Sequence, residues 1–174
     1  GLGAARVVSR AGMEPVVLEK DPQPGGVWRY QSGAKDRPMY RGLRTNLPKE
    51  LMAFREHPFD KSLPASFVTH QQVQEYLLDY KNHFDLDKFI HYGCRVEELS
   101  LNLEKQSVFS PDCEKWPTFR LKWTPGDGDT CEETFDAVLV CNGHYAAPSS
   151  PTIPGMEQHF HGDLLHSIEY DAPE

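Results

Sequence analysis

The sequence predicts an α/β fold built on a β-α-β unit that lacks its first strand and carries a small antiparallel β-meander. Three observations lead there. Gly1-Leu2-Gly3-Ala4-Ala5 runs through Val7-Val8 to Ala11-Gly12, small residues that suit a helix packed closely on a sheet, spanning Gly1 to Met13 and ended by a glycine. The segment Glu14 to Lys20 encloses the apolar Val16-Val17-Leu18 and reads as a buried strand after a turn signal. Ala137-Val138-Leu139-Val140-Cys141 is apolar throughout, the pattern of a central strand covered on both faces. A helix followed by a buried strand is half of a β-α-β unit. Its other half would precede Gly1, so a gap or bare edge is expected in the sheet centre.

The remaining elements follow in order. Asp21 to Asp60 is rich in Pro, Gly and Arg without a sustained period, a long loop of the kind that is usually functional. A helix is expected from about Thr69 to Phe84, with Thr69 as N-cap and Val73, Tyr76, Leu77 and Tyr80 on one face. Strand-like stretches come next at Cys94 to Leu103, Val108-Phe109, Phe119 to Trp123 and Phe135 to Cys141, with a turn at Pro125 to Asp129. The meander is placed at about residues 94–135.

Composition bounds the function. At 174 residues the chain has the length of about one domain. Charged residues at 25% and hydrophobic residues at 39% are too mixed for a disordered tail or a coiled coil. The net charge of −8 gives no electrostatic reason to expect nucleic acid or an anionic membrane as partner. No signal peptide or membrane-spanning apolar run is visible, and a start at Gly1 without Met suggests a fragment. Cys94, Cys113, Cys131 and Cys141 form no C-x-x-C, which reads as four free thiols with neither a zinc ribbon nor a dithiol centre. His159, His161 and His166 lack a carboxylate or thiolate at ligand spacing, so no metal is expected.

Two stretches carry nucleotide-binding chemistry. The last glycine of a G-x-G-x-x-G lets a helix sit tightly on its strand while the helix N-terminus holds a pyrophosphate, and Gly1 fits that place. Glu19, eighteen residues on at the end of Val16-Val17-Leu18, is positioned to accept hydrogen bonds from ribose hydroxyls. A surface Glu after a strand is the plainer alternative. Pro24-Gly25-Gly26-Val27-Trp28-Arg29-Tyr30 follows, where paired glycines bring N–H groups up to a ligand and Trp28 offers a flat wall. The alternative there is an ordinary turn with a core Trp.

Joined, Glu19-Lys20 and Gly25-Gly26-Val27-Trp28 resemble the FAD-binding segment of the flavin-containing monooxygenases. Leu43-Arg44-Thr45-Asn46-Leu47-Pro48-Lys49-Glu50-Leu51-Met52 with Pro58-Phe59 is similar to the stretch that passes beside the flavin ring. Val140 to Tyr145 with Pro148 and Ile153-Pro154-Gly155 is similar to the strand and turn leaving the FAD domain. Phe160-His161-Gly162 through His166 to Tyr170 fits the fingerprint F-x-G-x-x-x-H-x-x-x-Y.

The resemblance implies a Rossmann-like FAD-binding domain occupying residues 1–174 in part, truncated at both ends. An NADPH-binding domain would begin after residue 174. It places Gly1 at the pyrophosphate, Glu19 on the ribose, Gly25, Gly26, Val27 and Trp28 along the FAD, and Val96 beside the adenine through its backbone. Thr45, Asn46 and Leu47 would lie at the flavin, with Thr45 and Asn46 also near the nicotinamide nucleotide. Asn46 is the expected catalytic residue, because a neutral amide can hold a C4a-hydroperoxyflavin without supplying a proton. On local sequence alone, Asn46 would instead cap the helix beginning at Pro48. Phe160, Gly162, His166 and Tyr170 would link the FAD domain to the NADPH domain.

The implied activity is FAD- and NADPH-dependent oxygenation, by O2, of a small-molecule amine nitrogen or sulfide sulfur. The rivals are a Baeyer–Villiger monooxygenase, whose fingerprint typically ends in Trp rather than Tyr170, and a non-catalytic nucleotide-binding or interaction module. Disulfide reductases are disfavoured because no Cys pair follows Gly25-Gly26. The fragment alone is expected to be inactive and to hold flavin weakly. The full-length protein is expected on the cytoplasmic side, soluble or associated with the endoplasmic reticulum, with membrane attachment only through a C-terminal segment beyond this chain.

Overall fold

A computed structural model of the chain describes residues 1–34, 37–111, 115–145 and 147–173, with Glu157 described in its backbone alone. Cys113 lies outside the described residues. They fall into two compact units, Gly1–Pro24 with Lys81–Asn142, and Gly25–Tyr80 with Gly143–Glu174.

In the first unit, α1 spans Leu2–Arg10 and ends as its glycine requires. Gly12 adopts φ +81°, its N–H donating to the Ser9 carbonyl at 3.0 Å while the Met13 N–H donates to that of Val8 at 3.2 Å. This paired closure is open to glycine at no steric cost. Ala5 is buried, and the Arg6 guanidinium lies 4.2 Å from the Phe84 ring centroid. The expected buried strand forms as β1, Val17–Glu19, and pairs in parallel with β2, Ile90–Tyr92, in the register Val17↔Ile90, Leu18↔His91, Glu19↔Tyr92. The other edge of β1 has no partner among the described residues.

The meander forms as β3 (Cys94–Gln106), β4 (Pro117–Pro125) and β5 (Cys131–Phe135), antiparallel in that order. Cys94, Asn102, Thr118 and Leu121 are buried within it. A bulge between Val96 and Glu98 shifts the β3–β4 register, the usual way a strand bends without losing its pairing.

Two expectations are corrected here. Ala137–Cys141 is not a strand, and Leu139 and Val140 are 63% and 70% exposed. A run that is apolar on both faces gains from the sheet only when neighbours accept its ladder hydrogen bonds and cover both sides. Among the described residues no strand pairs with it. Val108-Phe109 is a turn rather than a strand, because β3 runs on to Gln106 and the chain reverses directly. There the Asp136 carboxylate accepts the Val108 N–H at 3.0 Å.

The second unit is built on α3, His70–His83, whose residues to Tyr80 belong to it. Thr69 caps this helix as expected. The Thr69 hydroxyl accepts the Gln72 N–H at 3.3 Å and the Gln72 side chain accepts the Thr69 N–H at 2.9 Å, satisfying donors on both sides of the first turn. Val73, Tyr76 and Tyr80 are buried on one face. Phe59, Val68, Val73 and Tyr76 form the core, with Phe59 stacked on Tyr76 at a centroid separation of 3.8 Å. Trp28, Met52, Phe54, Leu63 and Leu77 pack around it. A short helix, α2, spans Lys49–Met52, and a second, α4, Met156–His159.

Candidate functional site

The expected site residues divide between the two units. In the first, Gly1 precedes α1, and the first bond of that helix runs from the Ala5 N–H to the Gly1 carbonyl at 2.9 Å. The N–H groups of Leu2, Gly3 and Ala4 therefore have no helical acceptor. No side chain caps them, and the first turn contains no acidic residue. Glu19 is half-buried at the end of β1, where its Oε1 accepts the Asp21 N–H at 3.0 Å. Opposite it, burial pushes the Tyr92 phenol well above its ordinary value, helped by the Asp87 carboxylate that accepts its O–H at 2.8 Å and by the charge of Glu19. Val96 sits on β3 at the bulge, paired with Trp123 and 44% exposed.

In the second unit, Gly25 and Gly26 differ in what they require. Gly25 has φ +130°, and a Cβ there would collide with the side-chain amide of Gln74 on α3. Gly26 has φ +54° and faces open space. The pair leads into a 3-10 turn, Gly26–Trp28, closed by the Trp28 N–H on the Gly25 carbonyl at 3.0 Å. Val27 is exposed while Trp28 packs against the core, so the core-Trp alternative holds for its side chain.

Thr45 and Asn46 have opposite surroundings. Thr45 is 5% exposed; its N–H donates to the Val68 carbonyl at 2.9 Å and its hydroxyl accepts the Val68 N–H at 3.2 Å. The adjacent Arg44 forms an antiparallel bridge to Thr69. Asn46 and Leu47 then turn outward, exposed. The capping alternative for Asn46 fails, because the N-cap of α2 is Pro48 and no side chain bonds there. Lys49, also buried, donates from Nζ to the Leu63 carbonyl and so fixes the far side of the segment.

The fingerprint residues are mostly occupied locally. The Phe160 ring lies over Gly162, where a Cβ would come within 2.8 Å of it. His166 caps a 3-10 turn, Ser167–Glu169: its Nδ1 accepts the Ile168 N–H at 3.2 Å, and the Glu169 carboxylate accepts the His166 N–H at 3.0 Å. Tyr170 meets Tyr40 edge-on with centroids 5.3 Å apart. Sequence reasoning missed Asp171, whose carboxylate accepts from the Tyr30 hydroxyl at 3.1 Å and from the Arg41 backbone N–H and guanidinium at 3.1 and 3.0 Å. Arg41 holds its proton more tightly in consequence, through Tyr30 first and the charge of Asp171 next. Only the position of Asp171, directly after Tyr170, could have drawn attention to it.

A cavity of about 100 Å³ lies beneath Tyr170 and Asp171. That is well under the roughly 300–1,000 Å³ of a cofactor cleft. Among the described residues no group of His, Cys, Asp or Glu could hold a metal ion, and no helix is long and apolar enough to cross a membrane.

The model of the flavin-binding monooxygenase-like family matches residues 1–174. The chain belongs to that family. A flavin-containing monooxygenase of Arabidopsis thaliana, FMO GS-OX-like 2, is 34% identical over all of this chain and 40% of its own length. The human N-oxide-forming dimethylaniline monooxygenase 4 is 32% identical over all of this chain and 30% of its own length. Among solved structures, the S-allyl-L-cysteine S-oxygenase of Allium sativum superposes with a TM-score of 0.81 at 28% identity, over 99% of this chain and 40% of that one. The chain thus spans two-fifths or less of these relatives.

Proposed function

We propose that the whole protein is an FAD- and NADPH-dependent monooxygenase that oxygenates small soft nucleophiles, amine nitrogen or sulfide sulfur, and that this chain supplies part of its FAD-binding domain. The observation that carries the reading is the pairing of a pinned backbone with a free amide. Thr45 is locked to Val68, and one residue on, Asn46 projects an exposed side chain with no partner among the described residues. Such a group is pre-positioned yet available.

Each unit by itself carries groups that suit FAD. The α1 N-terminus after Gly1 offers uncapped N–H groups to a pyrophosphate. Glu19 keeps Oε2 for a ribose hydroxyl, and Gly26 and Val27 give close backbone approach beside open space. Val96 would meet the adenine through its backbone, next to the bulge. Thr45, Asn46 and Leu47 would lie at the flavin ring, Asn46 as the catalytic residue and both Thr45 and Asn46 also toward the nicotinamide nucleotide. Bound FAD would supply the redox ring through which NADPH and O2 oxygenate the substrate with release of water. The Asn46 amide donates and accepts hydrogen bonds there without offering an acidic proton. Leu47, 52% exposed beside it, would exclude water. Phe160, Gly162, His166 and Tyr170 would link this domain to the NADPH-binding one.

The relatives named above, an N-oxide-forming and an S-oxygenating enzyme, support the substrate class. The test is product analysis with the whole protein, FAD and NADPH, offered a tertiary amine, a thioether and a cyclic ketone. N-oxide or S-oxide without lactone is expected, whereas lactone as the main product would replace this reading by Baeyer–Villiger oxygenation.

A further inference from the structure

We propose that Asp171 is a positioning residue: it straps the end of the fingerprint segment to the loop that carries Thr45, Asn46 and Leu47 and sets where that loop lies. The strap is a closed circuit of side chains within one unit. The Asp171 carboxylate accepts from Tyr30 and, through both backbone and guanidinium, from Arg41. The Arg41 N–H also reaches the Asp171 carbonyl at 3.1 Å. Tyr30 packs on the His70 ring at 5.3 Å, and His70 Nε2 lies 3.2 Å from the Arg41 carbonyl. His70 is 2% exposed and its N–H donates to the Leu43 carbonyl at 3.2 Å. Arg41 is therefore held from one side by Asp171 and from the other by the first residue of α3. From Arg41 to Thr45 the chain has little freedom left.

A lone exposed ion pair would not do this, since such a pair gains little against the side-chain entropy it costs. Asp171 differs because a single carboxylate gathers a phenol, a guanidinium and a backbone amide, and because Tyr40 against Tyr170 adds an apolar contact next to it. The consequence for catalysis rests on the flavin reading of Thr45 to Leu47, but the strap itself does not.

The test has two readouts. Amide hydrogen exchange is measured on the whole protein with Asp171→Ala, Asp171→Asn, Arg41→Ala and the double variant D171A/R41A. Exchange at Leu43 and Thr45 should speed about tenfold or more in D171A while the α3 interior and the β-meander keep their rates, the sign of local rather than global opening. R41A, which keeps the Tyr30 hydroxyl and the Arg41 backbone N–H on Asp171, should speed exchange less than D171A, and the double variant should add nothing to D171A, since the guanidinium acts through that carboxylate. D171N, which still accepts hydrogen bonds, should restore much of the protection. Unchanged rates at Leu43 and Thr45, or equal acceleration everywhere, would overturn the strap.

The second readout is the fluorescence and absorbance of FAD bound to the whole protein. Both should change in D171A and return toward wild type in D171N. A wild-type flavin spectrum alongside faster exchange would overturn the positioning role. If the whole protein binds no flavin, the flavin reading fails and the exchange rates alone decide whether the strap exists.

Discussion

Thr45 and Asn46 are neighbours in sequence, yet each should answer to a different measurement. The Thr45 hydroxyl accepts the buried Val68 N–H, so Thr45→Val leaves that donor unpaired and should cost about 1–3 kcal/mol in urea unfolding. Asn46→Ala removes an exposed amide with no partner, so its unfolding free energy should stay within about 0.5 kcal/mol of wild type. In the whole protein the same change should abolish oxygenation while FAD stays bound. Gly25 answers to packing: Gly25→Ala meets both φ +130° and Gln74, and Gln74→Ala should relieve only the second. The sequence singled these residues out but could not say how each is held. Thr45 is buried because Val68, well along the chain, comes back to it, and no local pattern carries that information. Asp171 was illegible for the same reason, since its partners Tyr30 and Arg41 lie far behind it in sequence.

Elements whose signals are local were legible. The Thr69 N-cap and the apolar face of α3 follow from residue type and spacing, and Thr69→Ala should cost about 1 kcal/mol in thermal or urea unfolding. Gly12 ended α1, and the Pro125 to Asp129 turn separated β4 from β5. What failed was the Ala137–Cys141 strand, because a strand is a relation between segments and the composition of one run cannot supply its neighbour. The β1–β2 pair makes its own prediction. The Tyr92 phenol is raised above its unfolded value, so its contribution is complete below the ordinary tyrosine range near pH 10 and is lost as pH climbs through the folded value. Wild type should lose stability above about pH 10 relative to Tyr92→Phe, read as urea midpoints across pH. Equal slopes for the two proteins would remove the burial argument at that position.

At the scale of the whole molecule, family membership rests on ordered motifs that span the chain, and the family match covers every residue of it. The family was legible because glycines, an acidic residue after a strand and a fingerprint segment stand at the spacings that the resemblance requires. The separation into two compact units was not, since each unit draws on segments from both halves of the sequence. The central claim is that the whole protein transfers oxygen from O2 to a nitrogen or sulfur atom. Its most direct test is turnover under 18O2 in unlabelled water with FAD and NADPH, followed by mass spectrometry of the amine or thioether product. One 18O atom in the N-oxide or S-oxide, lost in Asn46→Ala, is the expected result. Oxygen derived from water, or no oxygenated product from a folded and FAD-loaded protein, would contradict it.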